Sequence, residues 1–216
     1  MITLAIDSST YRGTVAVLHD GDVVATADTA MRGMHSEGLM PAVVSALADA
    51  RVTRAEVGRV ICGGGPGSFT SLRIGASIAK GIAMGARVPL FAVSSLGLSL
   101  ASFAGPAGHY LVTLDAMRDE WYVGLFSRSA TGEIVEEQPV IIVPKADLFM
   151  IAETHRATII GGAAGNAQPH ASGCLALMQS IEQSGSVDLD RWEPSYGRLA
   201  EAQVKWEAAH GRSLTA

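Results

Sequence analysis

The chain has 216 residues, of which 48% are hydrophobic and only 17% are charged. This composition supplies one or two hydrophobic cores and excludes a disordered protein. The formal net charge of −5 argues against a chain that holds RNA by itself, because proteins that bind nucleic acid usually neutralise its phosphates with an excess of Lys and Arg. If RNA matters here, a partner is expected to hold most of it.

The first residues and the cysteines indicate the expected compartment. Residues 1–10 (MITLAIDSST) carry no basic segment ahead of the apolar run, so they do not predict a signal peptide. Cys62 and Cys174 lie far apart in the sequence. Two reduced, buried thiols are their expected state, with a single disulfide as the alternative. The charge-free stretch 88–114 contains prolines and glycines and does not predict a membrane span. The expected location is the cytoplasm.

Hydrophobic periodicity predicts alternating strands and helices in the first half of the chain. Asp20-Gly21 between two β-prone runs predicts a hairpin. Ser36 is a good N-cap for the first helix. The predicted strands are 2–6, 13–18, 22–27, 60–62 and 88–93, and the predicted helices are 36–50, 72–86 and 95–103.

The second half repeats this alternation of strands and helices. Its predicted strands are 110–114, 121–126, 134–143 and 157–160, its predicted helices are 145–154 and 171–183, and its charged tail, 194–211, is predicted as an edge segment. A strand, an Asp turn and a hairpin occur at Leu4–Val17 and again at Leu111–Phe126. The repetition predicts an α/β protein of the actin-like ATPase (ASKHA) superfold. Its two related halves, each a mixed sheet with flanking helices, are predicted at 1–104 and 105–216.

The loop at 63–70 (GGGPGSFT) leads into a predicted helix and has two interpretations. Free backbone N–H groups at a helix start suit an anion or a phosphate. The same glycines also suit a tight, closely packed connection. A Gly-Lys-Ser/Thr sequence at Walker A spacing is missing, so the loop is not of that type. A weak, vestigial nucleotide or phosphate region would comprise Asp7, Ser9, Gly65, Gly67, Ser68 and Asp115. The two Asp residues also suit side-chain-capped turns.

The sequence offers no constellation for chemistry of its own. Its six histidines form no His-x-x-x-His pair, and neither cysteine has a Cys-x-x-Cys partner. A Gly-x-Ser-x-Gly nucleophile elbow is also missing. The sequence therefore predicts no catalytic residue, no metal site and no cofactor of its own.

The helix predicted at 72–86 has a face of small residues. Gly75, Ala79 and Ala83 stand four residues apart, and a flat face of this kind lets another helix approach closely. A more polar stripe, with Arg73, Ser77 and Lys80, runs beside it. We expect this face to pack closely against another helix.

Several motifs together resemble the TsaB family. The stretch 65–75 (GPGSFTSLRIG) matches the family's Gly-Pro-Gly-Ser-Phe-Thr-Gly-Leu-Arg-Ile-Gly, with Ser71 in place of a glycine. The opening ITLAIDSST, the His-Ser-Glu at 35–37 and the Val-Ser-Ser-Leu at 93–96 are similar to family segments. Residues 114–122 (LDAMRDEWY) resemble the family's Asp-Ala-Arg-x-x-Glu-Val-Tyr strand, with Met117 and Trp121 as departures, and 194–198 (PSYGR) resembles its Pro-x-Tyr-x-Arg segment.

The resemblance implies a scaffold subunit for threonylcarbamoylation of N6 of adenosine 37 in tRNAs reading ANN codons. The transferase TsaD would be its heterodimer partner, with a metal held by a His-x-x-x-His pair, where this chain reads Ala92 to Leu98 without histidine. The ATPase TsaE would dock on the pair, so that ATP and metal belong to the partners and tRNA is reached only through the complex. The expected partner contacts are His35, Glu37, Leu39, Val43, Arg73, Ile74, Gly75, Ser77, Ile78, Ala79, Lys80, Ile82 and Ala83.

Other functions remain open on the residues alone. Without TsaD, the exposed face predicts a homodimer. An actin-fold enzyme, a nucleotide-dependent transferase or a kinase, is the main alternative, since a fold does not decide a function. A glycoprotease-like peptidase is a third reading that no nucleophile, base or zinc motif supports.

Overall fold

The computed structural model describes residues 1–31, 38–197 and 210. Its first sheet has five strands in the order β3-β2-β1-β4-β5. The strands are β1 (Ile2–Asp7), β2 (Arg12–His19), β3 (Asp22–Ala30), β4 (Val57–Gly63) and β5 (Leu90–Val93). The first three form an antiparallel meander, whereas β4 runs parallel to β1 and β5 parallel to β4.

The strands of the first sheet are joined by helices at the places that periodicity predicts. These are α1 (Leu39–Asp49), α2 (Phe69–Ala86) and α3 (Ser95–Ala101). The predicted N-cap Ser36 lies outside the described residues, and α1 begins directly after Gly38. A short 3-10 helix at Arg54–Glu56, which periodicity did not predict, precedes β4.

The second sheet repeats the plan of the first. Its order is β8-β7-β6-β9, with an antiparallel meander followed by a strand parallel to the first one. The strands are β6 (Gly108–Asp115), β7 (Glu120–Arg128), β8 (Ile134–Pro144) and β9 (Thr158–Gly161), and the helices are α4 (Leu148–His155) and α5 (Met178–Ser184). The predicted duplication is therefore confirmed by topology.

Two predicted helices are divided in the structure. Residues Lys145–Asp147 form a 3-10 turn ahead of α4, and Ala171–Leu175 form another ahead of α5. The predicted hairpin turn is confirmed, with φ of 49° at Asp20 and 94° at Gly21. Positive φ at both central residues is what a tight two-residue hairpin requires.

The first sheet is covered on both faces, so β1 is buried along its whole length. Successive residues along a strand face opposite sides of the sheet. Leu4 and Ile6 pack under α1 and α2. Ala5 and Ile61 instead join a cluster that contains Phe126 of the second sheet and leucines of α3. The layers run from α1 and α2, through the first sheet, to α3 and the second sheet, with α4 outermost.

The chain returns to the first sheet after β9. The amide of Ala171 donates to Thr14 Oγ1 at 3.0 Å, and the amide of Val187 donates to the carbonyl of Leu90 at 2.8 Å. Residues 171–187 thus pack on strands of the other half. A division at 104/105 separates the two sheets but not these later residues, and it stays a prediction.

Candidate functional site

Asp7, at the carboxyl end of β1, is fully buried. Its Oδ1 accepts hydrogen bonds from Ser9 Oγ at 2.8 Å and from the Ser9 amide at 3.0 Å, and its Oδ2 accepts from Ser95 Oγ at 2.7 Å. Burial raises the pKa of Asp7, and the hydrogen bonds from Ser95 and Ser9 oppose that rise. Both carboxyl oxygens are therefore occupied by the protein's own groups.

The glycine loop after β4 packs against the Asp7 turn and against a later segment of the chain. A Cβ at Gly63 would overlap the Asp7 carboxylate, and one at Gly67 would overlap the Ser9 carbonyl oxygen. Gly65 has a φ of 91°, and a Cβ there would overlap the Ser195 carbonyl oxygen. Close packing thus accounts for three glycines of this loop: Gly65 and Gly67 adjoin backbone, and Gly63 adjoins the Asp7 side chain.

Backbone donors of the loop are also engaged within the protein. The Gly64 amide donates to the Val93 carbonyl at 2.7 Å, and the Ser68 amide donates to the Ser9 carbonyl at 2.7 Å. The Gly65 amide donates to Ser95 Oγ at 3.2 Å. These three N–H groups stabilise the fold in this conformation, which favours the packing interpretation of the loop over the phosphate interpretation.

Ser71, which stands where the TsaB pattern has glycine, lies inside α2. Its hydroxyl donates to Ser68 Oγ at 3.1 Å, and its carbonyl accepts from Ser8 Oγ at 2.7 Å. A serine fits this position because the backbone there is helical and does not need positive φ.

A segment whose last residues, 194–197, belong to the family-like PSYGR stretch covers the loop, a role that the sequence did not predict. We define the strap as residues 187–197. Its Ser195 amide donates to the Gly64 carbonyl at 2.8 Å, and its Tyr196 carbonyl accepts from Tyr122 Oη at 3.0 Å. The strap therefore connects the glycine loop of the first half to a strand of the second half.

Asp115 occupies the equivalent place in the second half, at the end of β6, but its surroundings differ. The side chain is exposed, and its Oδ1 accepts from the Met117 amide at 2.9 Å. Asp115 thus caps its own turn, as the turn interpretation predicts. The two acids are related by topology and not by environment.

Replacing Asp7 by Asn is expected to change how stability depends on pH. A carboxyl whose pKa is raised by folding holds a proton that the unfolded chain releases near the ordinary value of 3.8. The free energy of unfolding therefore falls as pH rises from that value through the raised pKa. Since Asn has no such proton, wild-type stability minus that of Asp7→Asn should decline over this window in urea titrations.

A second variant tests whether the pKa of Asp7 causes this pH dependence of stability. Ser95→Ala removes a hydrogen bond that lowers the pKa of Asp7, so the decline should extend to higher pH than in the wild type. Parallel pH profiles for the wild type and Asp7→Asn would contradict the assignment of this dependence to Asp7.

The small-residue face of α2 requires a correction. Ala79 and Ala83 are fully buried beneath the helix, in the cluster formed with β1 and β4, and Gly75 packs directly against Ser8. The flat face lets α2 approach its own sheet, so the prediction that it admits a partner helix is wrong. Replacing Ala79 by arginine would place a charge in this core and would test folding instead of partner binding.

Two predicted contacts on α1 are corrected for the same reason. Leu39 and Val43 have 0% and 1% of their surface exposed and pack under the helix. The remaining predicted contacts on α2 are exposed or half-buried and stay predictions: Arg73, Ile74, Ser77, Ile78, Lys80 and Ile82. The predicted contacts His35 and Glu37 lie outside the described residues.

The outward surfaces of α1 and α2 carry apolar side chains that the sequence analysis did not name. Met40 is 45% exposed, Val44 56% and Met84 58%. Gly81 and Gly85 are also exposed on α2, and apart from their own helix no described atom stands within 4 Å of a Cβ built at either glycine. We define the outer face as Met40 and Val44 of α1 with Ser77, Gly81, Met84 and Gly85 of α2. The sequence signal that could have identified this surface is a second stripe of small residues, Ser77, Gly81 and Gly85.

The cysteines agree with the expectation of buried thiols. Cys62 and Cys174 are both free and buried. Burial raises the pKa of each thiol, that of Cys174 to about 12. In the described part of the chain, no three His, Cys, Asp or Glu side chains are grouped as a metal site would need. None of the helices described is long and apolar enough to cross a membrane.

Two related halves, each with a meander followed by a parallel strand, define a protein of the actin-like ATPase superfold. The family model described as "TsaD: tRNA N6-adenosine threonylcarbamoyltransferase" matches residues 29–143. The tRNA threonylcarbamoyladenosine biosynthesis protein TsaB of Bacillus subtilis is 31% identical over an alignment of 224 residues, gaps included, which covers 95% of this chain and 98% of that protein. The chain belongs to the TsaB family.

Further comparisons agree with this assignment. The TsaB protein of Escherichia coli is 35% identical over 135 residues, which are 61% of this chain and 58% of that protein. The solved structure of YeaZ from Pseudomonas aeruginosa superposes with a TM-score of 0.74 at 26% identity, over 90% of this chain and 99% of that one. The likeness to YeaZ extends over both halves.

Proposed function

We propose that this protein is a non-catalytic subunit of tRNA threonylcarbamoyladenosine biosynthesis that works by dimerising with TsaD in the cytoplasm. The names of its TsaB relatives support the process, and the outer face supports the mode of action. Exposed methionine and valine side chains beside two open glycines suit a closely approaching partner helix. The outer face is the observation on which the proposal rests.

The matching of a TsaD family model to residues 29–143 supports the choice of partner. A chain built on the same plan presents equivalent helices, so two related chains can pair with the pseudo-symmetry of a homodimer. A stable pair needs about 1,200 Å² of buried surface or more, which α1 and α2 together must supply. Self-association through the outer face is the expected state when TsaD is absent.

Catalysis in this proposal lies with the partners. Ser95 stands in the region where TsaD is expected to hold its metal, and here its hydroxyl donates to the buried Asp7. TsaE would dock on the pair and supply ATP hydrolysis, and tRNA reading ANN codons would be modified at N6 of adenosine 37 by the complex. The net charge of −5 supports indirect contact with tRNA.

Reconstitution tests the proposal. Purified chain mixed with TsaD of the same source should co-elute as a defined heterodimer, and modified tRNA should form only when this chain, TsaD and TsaE are all present with ATP and an activated threonylcarbamoyl donor. Omission of this chain should abolish the product. Modification of tRNA by this chain alone, or tight Mg-ATP binding with turnover in calorimetry, would favour the enzyme alternative.

A further inference from the structure

The side chain of Tyr196, in the strap, packs on the first turns of α2. Its ring centroid lies 4.6 Å from that of Phe69, and the Arg73 guanidinium lies 4.3 Å from the Phe69 centroid and 5.6 Å from that of Tyr196. Arg73 Nε also donates to Tyr196 Oη at 3.4 Å. Phe69, Arg73 and Tyr196 therefore form one aromatic and cationic cluster, which holds the beginning of the helix.

The beginning of α2 depends on such tertiary contacts. Its N-cap residue, Ser68, makes no side-chain cap hydrogen bond among the described residues. The helix also contains three glycines, at 75, 81 and 85, and each costs about 1 kcal/mol of helix propensity relative to alanine. Local sequence alone thus gives the helix limited stability, and tertiary contacts with Ser8, Ser9 and the strap hold its first turns.

The strap also links the beginning of α2 to the second half of the molecule. The Tyr196 carbonyl accepts from Tyr122 Oη on β7, and its neighbour Ser195 donates to Gly64. Arg73 lies one helical turn before Ser77 on the exposed side of α2, so the cluster adjoins the outer face. Ser195 and Tyr196 of the strap therefore link the first turns of α2, beside the outer face, to both sheets.

We infer that Tyr196 is a positioning residue for partner binding. Acting through Phe69 and Arg73, it fixes the first turn of α2 and thereby the outer face that TsaD would meet. This inference rests on the proposed function. Tyr196→Ala removes the ring, whereas the backbone bonds of the strap to Gly64 and Tyr122 do not need the side chain and stay available.

The experiment combines hydrogen exchange with affinity for TsaD. In Tyr196→Ala, amides 72–76 should exchange about two- to tenfold faster, and the affinity for TsaD should fall by a similar factor, as expected for loss of one aromatic pair. Tyr196→Phe, which keeps the ring, should restore both values nearly to wild type. Phe149→Ala, at an exposed aromatic of α4, serves as the matched control and should change neither.

The outcomes separate the two proposals. Unchanged exchange in Tyr196→Ala, or faster exchange with unchanged affinity, overturns the positioning role. A wild-type chain that does not bind TsaD at all overturns the proposed function, and the positioning role with it. That failure is recognised in the wild type before any variant is compared.

Discussion

Gly81→Arg is expected to abolish co-elution with TsaD while leaving the protein folded. Gly81 is exposed on the outer face, and apart from its own helix no described atom lies within 4 Å of a Cβ built there. An arginine fits this helix better than a glycine by roughly 1 kcal/mol of propensity, so the fold should keep its stability. The long cationic side chain would stand where a partner helix must approach, and an unpaired charge buried at an interface costs several kcal/mol. Affinity should fall by at least a hundredfold in titration calorimetry.

Met150→Arg provides the control for this prediction. Met150 is 62% exposed on α4, at the opposite end of the layers from the outer face, and arginine there should leave TsaD binding unchanged. The same Gly81→Arg substitution should also turn any homodimer into a monomer in sedimentation experiments. Wild-type affinity for TsaD in a folded Gly81→Arg protein would show that the outer face is not the interface.

Gly65→Ala is expected to destabilise the protein by about 3 kcal/mol and to release the strap. The residue has a φ of 91°, and the added Cβ would overlap the carbonyl oxygen of Ser195. The strap must move away to relieve this overlap, and it then loses the hydrogen bond from the Ser195 amide to the Gly64 carbonyl. Urea unfolding measures the stability, and hydrogen exchange at the Ser195 amide reports release of the strap.

Gly132→Ala separates the conformational cost of alanine at positive φ from the steric overlap with the strap. Gly132 has nearly the same φ, 88°, but apart from its chain neighbours no described atom lies within 4 Å of its Cβ position. Alanine there bears only the conformational cost, about 1–2 kcal/mol, and the Ser195 amide should keep its protection. Equal losses of stability in the two variants would mean that backbone conformation alone, and not contact with the strap, requires glycine at position 65.

The element types and the duplicated plan could be predicted from the sequence. Strands such as 2–6 and 110–114 are apolar runs that end at an Asp, and the Asp20-Gly21 pair fixes the hairpin between its neighbours. These signals are local, since strand pairing across a short turn follows from the residues of that turn. The family motifs could also be recognised in the sequence, because each is a contiguous run of residues.

The direction in which α2 faces could not be predicted in this way. Two stripes of small residues, 75-79-83 and 77-81-85, have the same spacing and differ by about half a turn around the helix. Only packing against β1 and β4 decides that the first stripe is buried and the second exposed. The role of the strap was equally hidden, because Ser195 and Gly64 are far apart in the chain.

The sequence by itself determined the α/β class, the repeated strand-and-hairpin plan and the TsaB family, since these depend on residue order over short distances. Only the tertiary structure decided which helix surface is free, that Asp7 is enclosed by Ser9 and Ser95, and that the strap closes over the glycine loop. These properties depend on contacts between residues distant in sequence, and burial is a property of the folded whole.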